Sequence, residues 1–204
     1  MTLELLPKDV SRETLDRLHR LNTLLAKWNP AINLVARSTL AQAWDRHILD
    51  SAQLFQLAPE DARHWVDLGS GGGFPGLVIA CLAAELRPQL SVTLIEADQR
   101  KATFLRQAAQ DLGLKPRILA QRIELTEPQA ADVLSARALA ALPALLSFST
   151  RHLVPGGLAL FPKGASWREE VEQARKDWHF TLEPHASATD PQGAILAVKA
   201  VSHV

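Results

Sequence analysis

The segment Asp67-Leu-Gly-Ser-Gly-Gly-Gly-Phe-Pro-Gly76 places five glycines within eight residues and decides the fold of this chain. It follows a short apolar run at residues 64–68, which predicts a strand. It leads into residues 75–86, whose nearly continuous apolar character predicts a buried helix. Glycines between a strand and a helix let the backbone turn sharply and approach a ligand without a Cβ collision. The segment therefore predicts a ligand cradle at the carboxyl end of the first strand.

Strands and helices continue to alternate after this segment. Strands are predicted at residues 91–95, 117–120, 132–136 and 158–161, and helices at 98–112, 138–153 (with Pro143 as an interruption) and 167–178. The last two strands, at residues 180–184 and 194–201, have no helix between them and are expected to form an antiparallel hairpin at one edge. The pattern predicts an α/β fold with a mainly parallel seven-stranded sheet and helices on both faces.

Two amphipathic helices precede the first strand. The first is predicted at residues 11–28, with Ser11 as its cap and Asn29-Pro30 as its end, and the second at residues 39–57. We therefore expect an N-terminal helical extension over residues 1–60 and a ligand-binding domain over residues 61–204.

Composition narrows the class of protein. Cys81 is the only cysteine, so neither a disulfide framework nor a thiolate zinc site is expected, and the histidines show no metal-ligand spacing. No signal-peptide pattern or apolar run of membrane-spanning length occurs, which predicts a cytoplasmic protein with no membrane partner. The formal net charge is zero, yet residues 100–122 carry six basic side chains against one acidic one. That stretch fits either a phosphate-binding face or a solvated helix surface.

The glycine segment by itself fits two cofactors. Gly71, Gly73 and Gly76, with Glu96 placed 20 residues after the last of them, match the dinucleotide pattern of nicotinamide oxidoreductases. Asp67, two residues before the first glycine, instead matches the acidic-x-Gly-x-Gly-x-Gly pattern of class I methyltransferases. Its carboxylate is expected to face the cationic methionine end of S-adenosylmethionine, and Glu96 the ribose of either cofactor. We favour the methyl donor; an oxidoreductase and a donor-binding module without catalysis stay open.

Seven motifs carry a resemblance to a known family. They are Trp28-Asn-Pro-Ala-Ile-Asn-Leu34, Arg46-His-Ile-Leu-Asp-Ser51, the glycine segment, Arg100-Lys-Ala-Thr-Phe-Leu105, Gln121-Arg-Ile-Glu124, Ser135-Ala-Arg137 and Pro162-Lys-Gly164. In this order they resemble the bacterial 16S rRNA guanine-N7 methyltransferases, the RsmG or glucose-inhibited division protein B family. The resemblance extends from about residue 15 to the final strand. Its most specific parts are the run Arg46-His-Ile-Leu-Asp-Ser51 and the Gly73-Phe-Pro-Gly76 ending of the glycine segment.

The resemblance implies a class I, Rossmann-like methyltransferase that transfers the methyl group of S-adenosylmethionine to N7 of a guanine in the 530 loop of 16S rRNA, leaving S-adenosylhomocysteine. With the patterns above it implies donor contacts from Asp67, Gly69, Ser70, Gly71, Gly73, Phe74, Glu96, Ile123, Glu124 and Arg137. RNA contacts are expected from Arg46, His47, Arg100, Lys101 and Lys163. Glu96 stands where aspartate is frequent in relatives, and either carboxylate can hold a ribose. The expected partner is 16S rRNA or the small ribosomal subunit, bound by a monomer with no obligate protein partner and no metal.

The expected chemistry needs positioning rather than acid–base catalysis. Guanine N7 carries a lone pair and no proton, so in-line displacement requires no general base. Other acceptors leave signatures that are missing, since Cys81 lies in an apolar helix and the fourth strand runs into Leu134-Ser-Ala-Arg-Ala-Leu139 rather than Asp/Asn-Pro-Pro-aromatic. Arg137 is expected to hold the donor's carboxylate or orient the base, with a helix-start salt bridge as the alternative. Lys163 is expected to hold an RNA phosphate.

Arg46, His47 and Asp50 lie on one predicted helical turn. Through the resemblance, this helix is expected to lie over the donor site and contact RNA. The alternative from spacing alone is an Arg46–Asp50 surface ion pair of the i, i+4 kind.

Overall fold

A single sheet organises the chain. The structure, a computed structural model, describes residues 5–204, and seven strands within that range pair in the order β3-β2-β1-β4-β5-β7-β6. Their bounds are β1 His64–Leu68, β2 Ser91–Ile95, β3 Arg117–Leu119, β4 Ala131–Ala136, β5 Leu153–Lys163, β6 Trp178–Ala186 and β7 Ala194–His203. Strands β1 to β5 pair in parallel, and β7 runs antiparallel to both β5 and β6. The predicted α/β fold, with its antiparallel edge hairpin, is confirmed.

Helices cover both faces of this sheet. The α-helices are α1 Arg12–Ile32, α2 Asp50–Leu57, α3 Gly76–Leu86, α4 Gln99–Asp111, α5 Leu142–His152 and α6 Trp167–Ala174. Neighbouring residues of a strand point to opposite faces. Accordingly, Trp65 of β1 is buried in a core shared with α1 to α4, and Val66 in a second core shared with α5 and α6. The continuous apolar run of α3 is explained, because residues 76–83 of this helix are all buried.

The N-terminal helices pack directly on the strand–helix units. Ser11 caps α1 as predicted, with its Oγ accepting the Thr14 N–H at 3.3 Å. The helix continues past Asn29-Pro30 to Ile32, because a proline near a helix end forfeits only one hydrogen bond. Leucines of α1 share one hydrophobic core with α3 and α4. The proposed division of the chain near residue 60 stays a prediction.

The helix predicted at residues 39–57 is not one regular helix. It consists of a 3₁₀ turn at Arg37–Gln42, a π-helical turn at Trp44–Leu49 and then α2. Three consecutive residues of the π turn, from His47 to Leu49, are buried. The sequence pattern could not reveal this, because apolar residues at ordinary helical spacing do not distinguish a regular helix from one that contains a π-helical turn.

Two later predictions also need correction. Helix α5 starts at Leu142 rather than near residue 138, and Pro143 lies in its first turn instead of interrupting it, which is where a proline fits best. Helix α6 ends at Ala174 rather than at residue 178. The strands before and after it, β5 and β6, are both longer than predicted, and β5 begins at Leu153. No helix among residues 5–204 is long and apolar enough to cross a bilayer.

Candidate functional site

A cavity of about 900 Å³ opens at the carboxyl ends of β1, β4 and β5. Its walls come from six places in the chain: residues 34–50, 69–74, 101, 137–141, 162–170 and 187–194. Ligands of open α/β sheets bind beyond the carboxyl ends of the strands, and this volume is typical of a small-molecule site. The cavity is therefore the candidate functional site.

The glycine segment forms one wall and needs its glycines for conformational reasons. Gly71 and Gly73 have φ angles of 51° and 89°, in the left-handed region that side chains disfavour. A Cβ on Gly73 would lie 2.5 Å from Leu77 Cδ1, whereas one on Gly71 would meet nothing nearer than the Gly69 carbonyl oxygen at 3.7 Å. Gly73 is thus required by packing, while Gly71 leaves open space beside the cavity.

Asp67 lies behind this wall, fully buried. Its Oδ2 accepts the Gly76 N–H at 3.2 Å, and its Oδ1 accepts the Ser135 hydroxyl at 2.7 Å. The Ser135 Oγ in turn accepts the Trp65 indole N–H at 2.8 Å. Burial raises the pKa of the Asp67 carboxyl to about 6, against the lowering effect of these hydrogen bonds. The described contacts of Asp67 are thus with the chain itself, and they join the glycine segment to β1 and β4.

Glu96 supports the same segment from the end of β2. Its Oε2 accepts the Gly71 N–H at 2.7 Å, and its Oε1 accepts the Asp98 N–H at 2.8 Å. A carboxylate oxygen has two acceptor sites, so these bonds leave capacity for further donors such as ribose hydroxyls. Glu96 therefore adjoins the cradle at the place where the sequence predicted it.

Arg137 and Asp50 form an ion pair inside the cavity. Arg137 Nη1 lies 3.3 Å from Asp50 Oδ2 and donates to the Arg46 carbonyl oxygen at 2.9 Å, and only about a sixth of either charged side chain is exposed. The guanidinium lies 5.4 Å from the centre of the Phe74 ring. Burial lowers the pKa of Arg137 and Asp50 opposes that shift, so the group stays charged. Asp50 is the first residue of α2, so Arg137 makes a salt bridge at a helix start, across 87 residues of sequence. The Arg46–Asp50 pair is not formed.

His47 packs against the glycine segment. Its ring lies 5.2 Å from that of Phe74, nearly parallel to it, and its Nε2 is 2.9 Å from the Thr39 hydroxyl. Burial, and then the charges of Arg137 and Arg46, lower the pKa of His47 to about 4. The imidazole is neutral near pH 7, so it would bring no positive charge to the RNA contact expected of it.

Lys163 faces the cavity from the end of β5, but its charge is matched within the chain. Its Nζ lies 2.7 Å from Glu170 Oε2 and donates to the Ala140 carbonyl oxygen at 2.8 Å. Glu170 Oε2 also accepts the Leu142 N–H at 3.0 Å, at the start of α5. Lys163 therefore fixes the join between β5, α5 and α6, and an RNA contact would have to compete with this pair.

The remaining predicted residues divide between the cavity and the surface. Arg46 and Lys101 line the cavity together with Ser70. Arg100 is exposed and lies 3.5 Å from Asp98. Ile123 and Glu124 form a 3₁₀ turn after β3 and lie outside the cavity lining.

Several cavity residues were not singled out from the sequence. Leu34 closes over the glycine segment, with its carbonyl oxygen 3.3 Å from a Cβ placed on Gly72. Thr189 reaches the cavity from the loop between β6 and β7 and donates to Asp50 Oδ1 at 2.5 Å. A hydroxyl in a surface-like loop carries no local signal, because its partner lies 139 residues away.

Solved structures resemble this fold. An O-methyltransferase from Bacillus cereus in complex with SAH is 17% identical with a TM-score of 0.58, covering 95% of this chain and 93% of its own. A TehB-like SAM-dependent methyltransferase from Corynebacterium glutamicum is 16% identical with a TM-score of 0.59, covering 89% and 98%. The class I methyltransferase fold is confirmed. The antiparallel β7 inserted between β5 and β6 also departs from the 3-2-1-4-5-6 order of dinucleotide-binding sheets, which disfavours the oxidoreductase.

Sequence relatives match nearly the whole chain. A protein of Ruegeria sp. (strain TM1040) named Ribosomal RNA small subunit methyltransferase G is 51% identical over 96% of this chain and 95% of its own length. One of the same name from Rhodospirillum centenum is 54% identical over 95% and 87%. The GidB family model, described as rRNA small subunit methyltransferase G, matches residues 14–197. The chain therefore belongs to the GidB family of rRNA small subunit methyltransferases G.

Proposed function

We propose that this chain transfers the methyl group of S-adenosylmethionine to N7 of a guanine in the 530 loop of 16S rRNA. The observation that carries the proposal is the identity of about one half, over 96% of the chain, with relatives named for methylation of small-subunit ribosomal RNA. The proposal includes a cytoplasmic monomer whose substrate is 16S rRNA or the small ribosomal subunit.

The cavity fits the methyl donor. The backbone at Gly71 leaves open space where a side chain would otherwise stand. Arg137 makes its described hydrogen bonds to the chain through Nη1, which leaves the Nε and Nη2 donors for a carboxylate. We assign the methionine end to Arg137, the ribose to Glu96, and the adenine to the Ile123–Glu124 turn. The glycine segment, residues 69–74, cradles the donor between them.

The side chains around the acceptor space favour an acceptor atom that needs no deprotonation. S-adenosylmethionine supplies a methyl group already activated by its sulfonium. Of the three carboxylates that line the cavity, Asp190 keeps one oxygen without a hydrogen bond among the described residues, whereas Asp50 and Glu170 are each ion-paired with a cation and hydrogen-bonded to the chain. They therefore serve as structural groups, and a guanine N7 lone pair requires only to be held in line.

Basic residues around the cavity are assigned to RNA. Arg46 and Lys101 line its opening, and Arg100 is exposed at the start of α4. Arg106 and Arg122 of the stretch identified in the sequence are exposed as well, whereas the exposed Lys115 and Arg117 lie at the amino end of β3, away from the cavity edge of the sheet. Such a patch contributes salt-dependent affinity for phosphates without reading sequence.

The test is methyl transfer from labelled donor to small ribosomal subunits that lack the modification. We expect label in 16S rRNA and, after chemical cleavage at N7-methylguanine, one product in the 530 loop. Subunits that already carry the modification are the control and should accept no label. Transfer to another atom or another RNA would contradict the proposal. Calorimetry should detect S-adenosylhomocysteine binding and no NADH binding.

A further inference from the structure

Two side chains at the start of α2 hold the loop between β6 and β7, residues 187–193. Asp50 Oδ1 accepts the Thr189 hydroxyl at 2.5 Å and the Gln53 amide at 3.0 Å. Gln53 Oε1 accepts the Ala188 N–H at 3.1 Å. The loop is therefore fixed through both its backbone and a side chain to an element far away in sequence.

The sheet order places this loop away from the glycine segment. Strand β6 is parallel to β5, because each is antiparallel to β7, so β6 ends at the same edge as β1 and β4. Three strand spacings separate β1 from β7 in the sheet, which is roughly 14 Å. The donor cradle lies at β1 and β2, so the loop borders the part of the cavity that the donor leaves open.

We infer that the loop at residues 187–193 is a wall of the acceptor subsite and that Thr189 is a positioning residue for the RNA acceptor. The inference rests on the proposed function, whose donor and acceptor it assigns to opposite sides of one cavity. Asp50 is the link between them, since one of its oxygens pairs with Arg137 and the other holds Thr189.

The loop offers the kind of groups that recognise a base. Ser187, Thr189 and Asp190 all line the cavity. Asp190 uses Oδ1 to accept the Gln192 N–H at 3.1 Å, and no hydrogen bond within residues 5–204 reaches its Oδ2. Bases held outside a helix are read through hydrogen bonds to their edges, and an ordered loop spares the entropy of fixing these groups on binding.

Thr189 is the residue to change, because Asp50→Asn would also remove the counter-ion of Arg137. Thr189→Val deletes the hydroxyl while keeping the branched shape, and Thr189→Ser keeps the hydroxyl. The measurements are steady-state methyl transfer to unmodified small subunits, calorimetry with S-adenosylhomocysteine, and amide hydrogen exchange of residues 187–193.

For Thr189→Val we expect the KM for subunits to rise about tenfold, as for loss of a hydrogen bond to a charged group, with kcat little changed. The affinity for S-adenosylhomocysteine should stay within about twofold of wild type, because Thr189 lies on the acceptor side. Exchange in the loop should accelerate. Thr189→Ser should return the KM for subunits and the loop exchange to wild-type values and should likewise leave the affinity for S-adenosylhomocysteine unchanged.

Three results would overturn the inference: an unchanged KM, a parallel loss of S-adenosylhomocysteine affinity, or unaltered loop exchange. Any of these, with a wild-type protein that methylates subunits, leaves the proposed function standing. If instead the wild type binds S-adenosylhomocysteine but does not methylate small subunits, the proposed function fails and the acceptor role of the loop fails with it.

Discussion

The proposed donor side and the proposed acceptor side of the cavity are built in different ways. On the donor side, the bonds that shape the glycine segment are short in sequence: Gly76 to Asp67 spans 9 residues and Gly71 to Glu96 spans 25. On the acceptor side, Asp50 reaches Arg137 across 87 residues and Thr189 across 139. One side is a backbone structure set by neighbouring residues, and the other is a set of charged side chains that meet only after folding.

Because the two sides are built differently, substitutions on them should have different effects. Changes on the donor side act through backbone conformation and should affect donor affinity first. Changes on the acceptor side break buried pairs, so they should affect stability or acceptor affinity and leave the glycine segment intact. Arg137 is assigned to both sides, so a substitution there tests most sharply whether the two sides respond separately.

Arg137→Ala should lower the free energy of unfolding by about 3–5 kcal/mol, because it leaves Asp50 buried without its counter-ion. Urea unfolding measures this change. Arg122→Ala is the matched control, since Arg122 pairs with Glu124 at 3.5 Å with both side chains exposed, and it should lose less than about 1 kcal/mol. Equal losses of unfolding free energy in the two variants would show that the Asp50–Arg137 pair stabilises the fold no more than an exposed pair does.

Asp67 should give the next largest effect, seen as a dependence of stability on pH. Its pKa of about 6 in the folded state exceeds its ordinary value of 3.8. Its contribution is therefore fully present below about pH 4 and is lost as pH rises through 6, a change of about 3 kcal/mol. Urea unfolding of wild type and Asp67→Asn from pH 4 to 8 isolates it, as groups common to both cancel. The free energy of unfolding of wild type minus that of Asp67→Asn should fall as pH rises. A value that stays constant or grows with pH would contradict the expectation.

Gly71→Val should weaken S-adenosylhomocysteine binding by about a hundredfold or more, because a branched side chain fills the space beside the cradle and disfavours the left-handed conformation. Gly113→Val is the control: its φ is 67°, it has open space around it, and it ends α4 outside the cavity lining. Both variants carry similar backbone strain, so calorimetry should find reduced affinity only at Gly71. Retained affinity in Gly71→Val would show that the segment is not the cradle.

Lys163→Ala should have the smallest effect, about a tenfold weaker interaction with small subunits and nearly unchanged donor affinity. The structure adds a way to separate RNA contact from the internal pair with Glu170. In the double variant Lys163→Ala/Glu170→Gln, no unpaired carboxylate remains to repel phosphate. Recovery of subunit binding in the double variant would assign Lys163 to the pair alone, and persistent weakness would assign it to RNA.

Sequence periodicity predicted the order and type of most elements after residue 64, because alternation of short apolar strands with apolar helices leaves few arrangements. It was wrong where packing overrides local preference. The π turn at Trp44–Leu49 buries consecutive residues, and Pro143 begins a helix that periodicity started earlier. The donor-facing role of Asp67 stays a prediction, and its carboxylate accepts hydrogen bonds from Gly76 and Ser135.

The conformation of the glycine segment and the class of fold could be predicted from the sequence alone. Positive φ angles, strand ends and helix starts are properties of a few adjacent residues, and glycines report them directly. Only the tertiary structure decided which charges meet, since Asp50, Arg137, Thr189 and Lys163 find partners through the order of the strands. Pairing between distant side chains depends on the packed sheet that brings them within hydrogen-bond distance, and no local pattern encodes that distance.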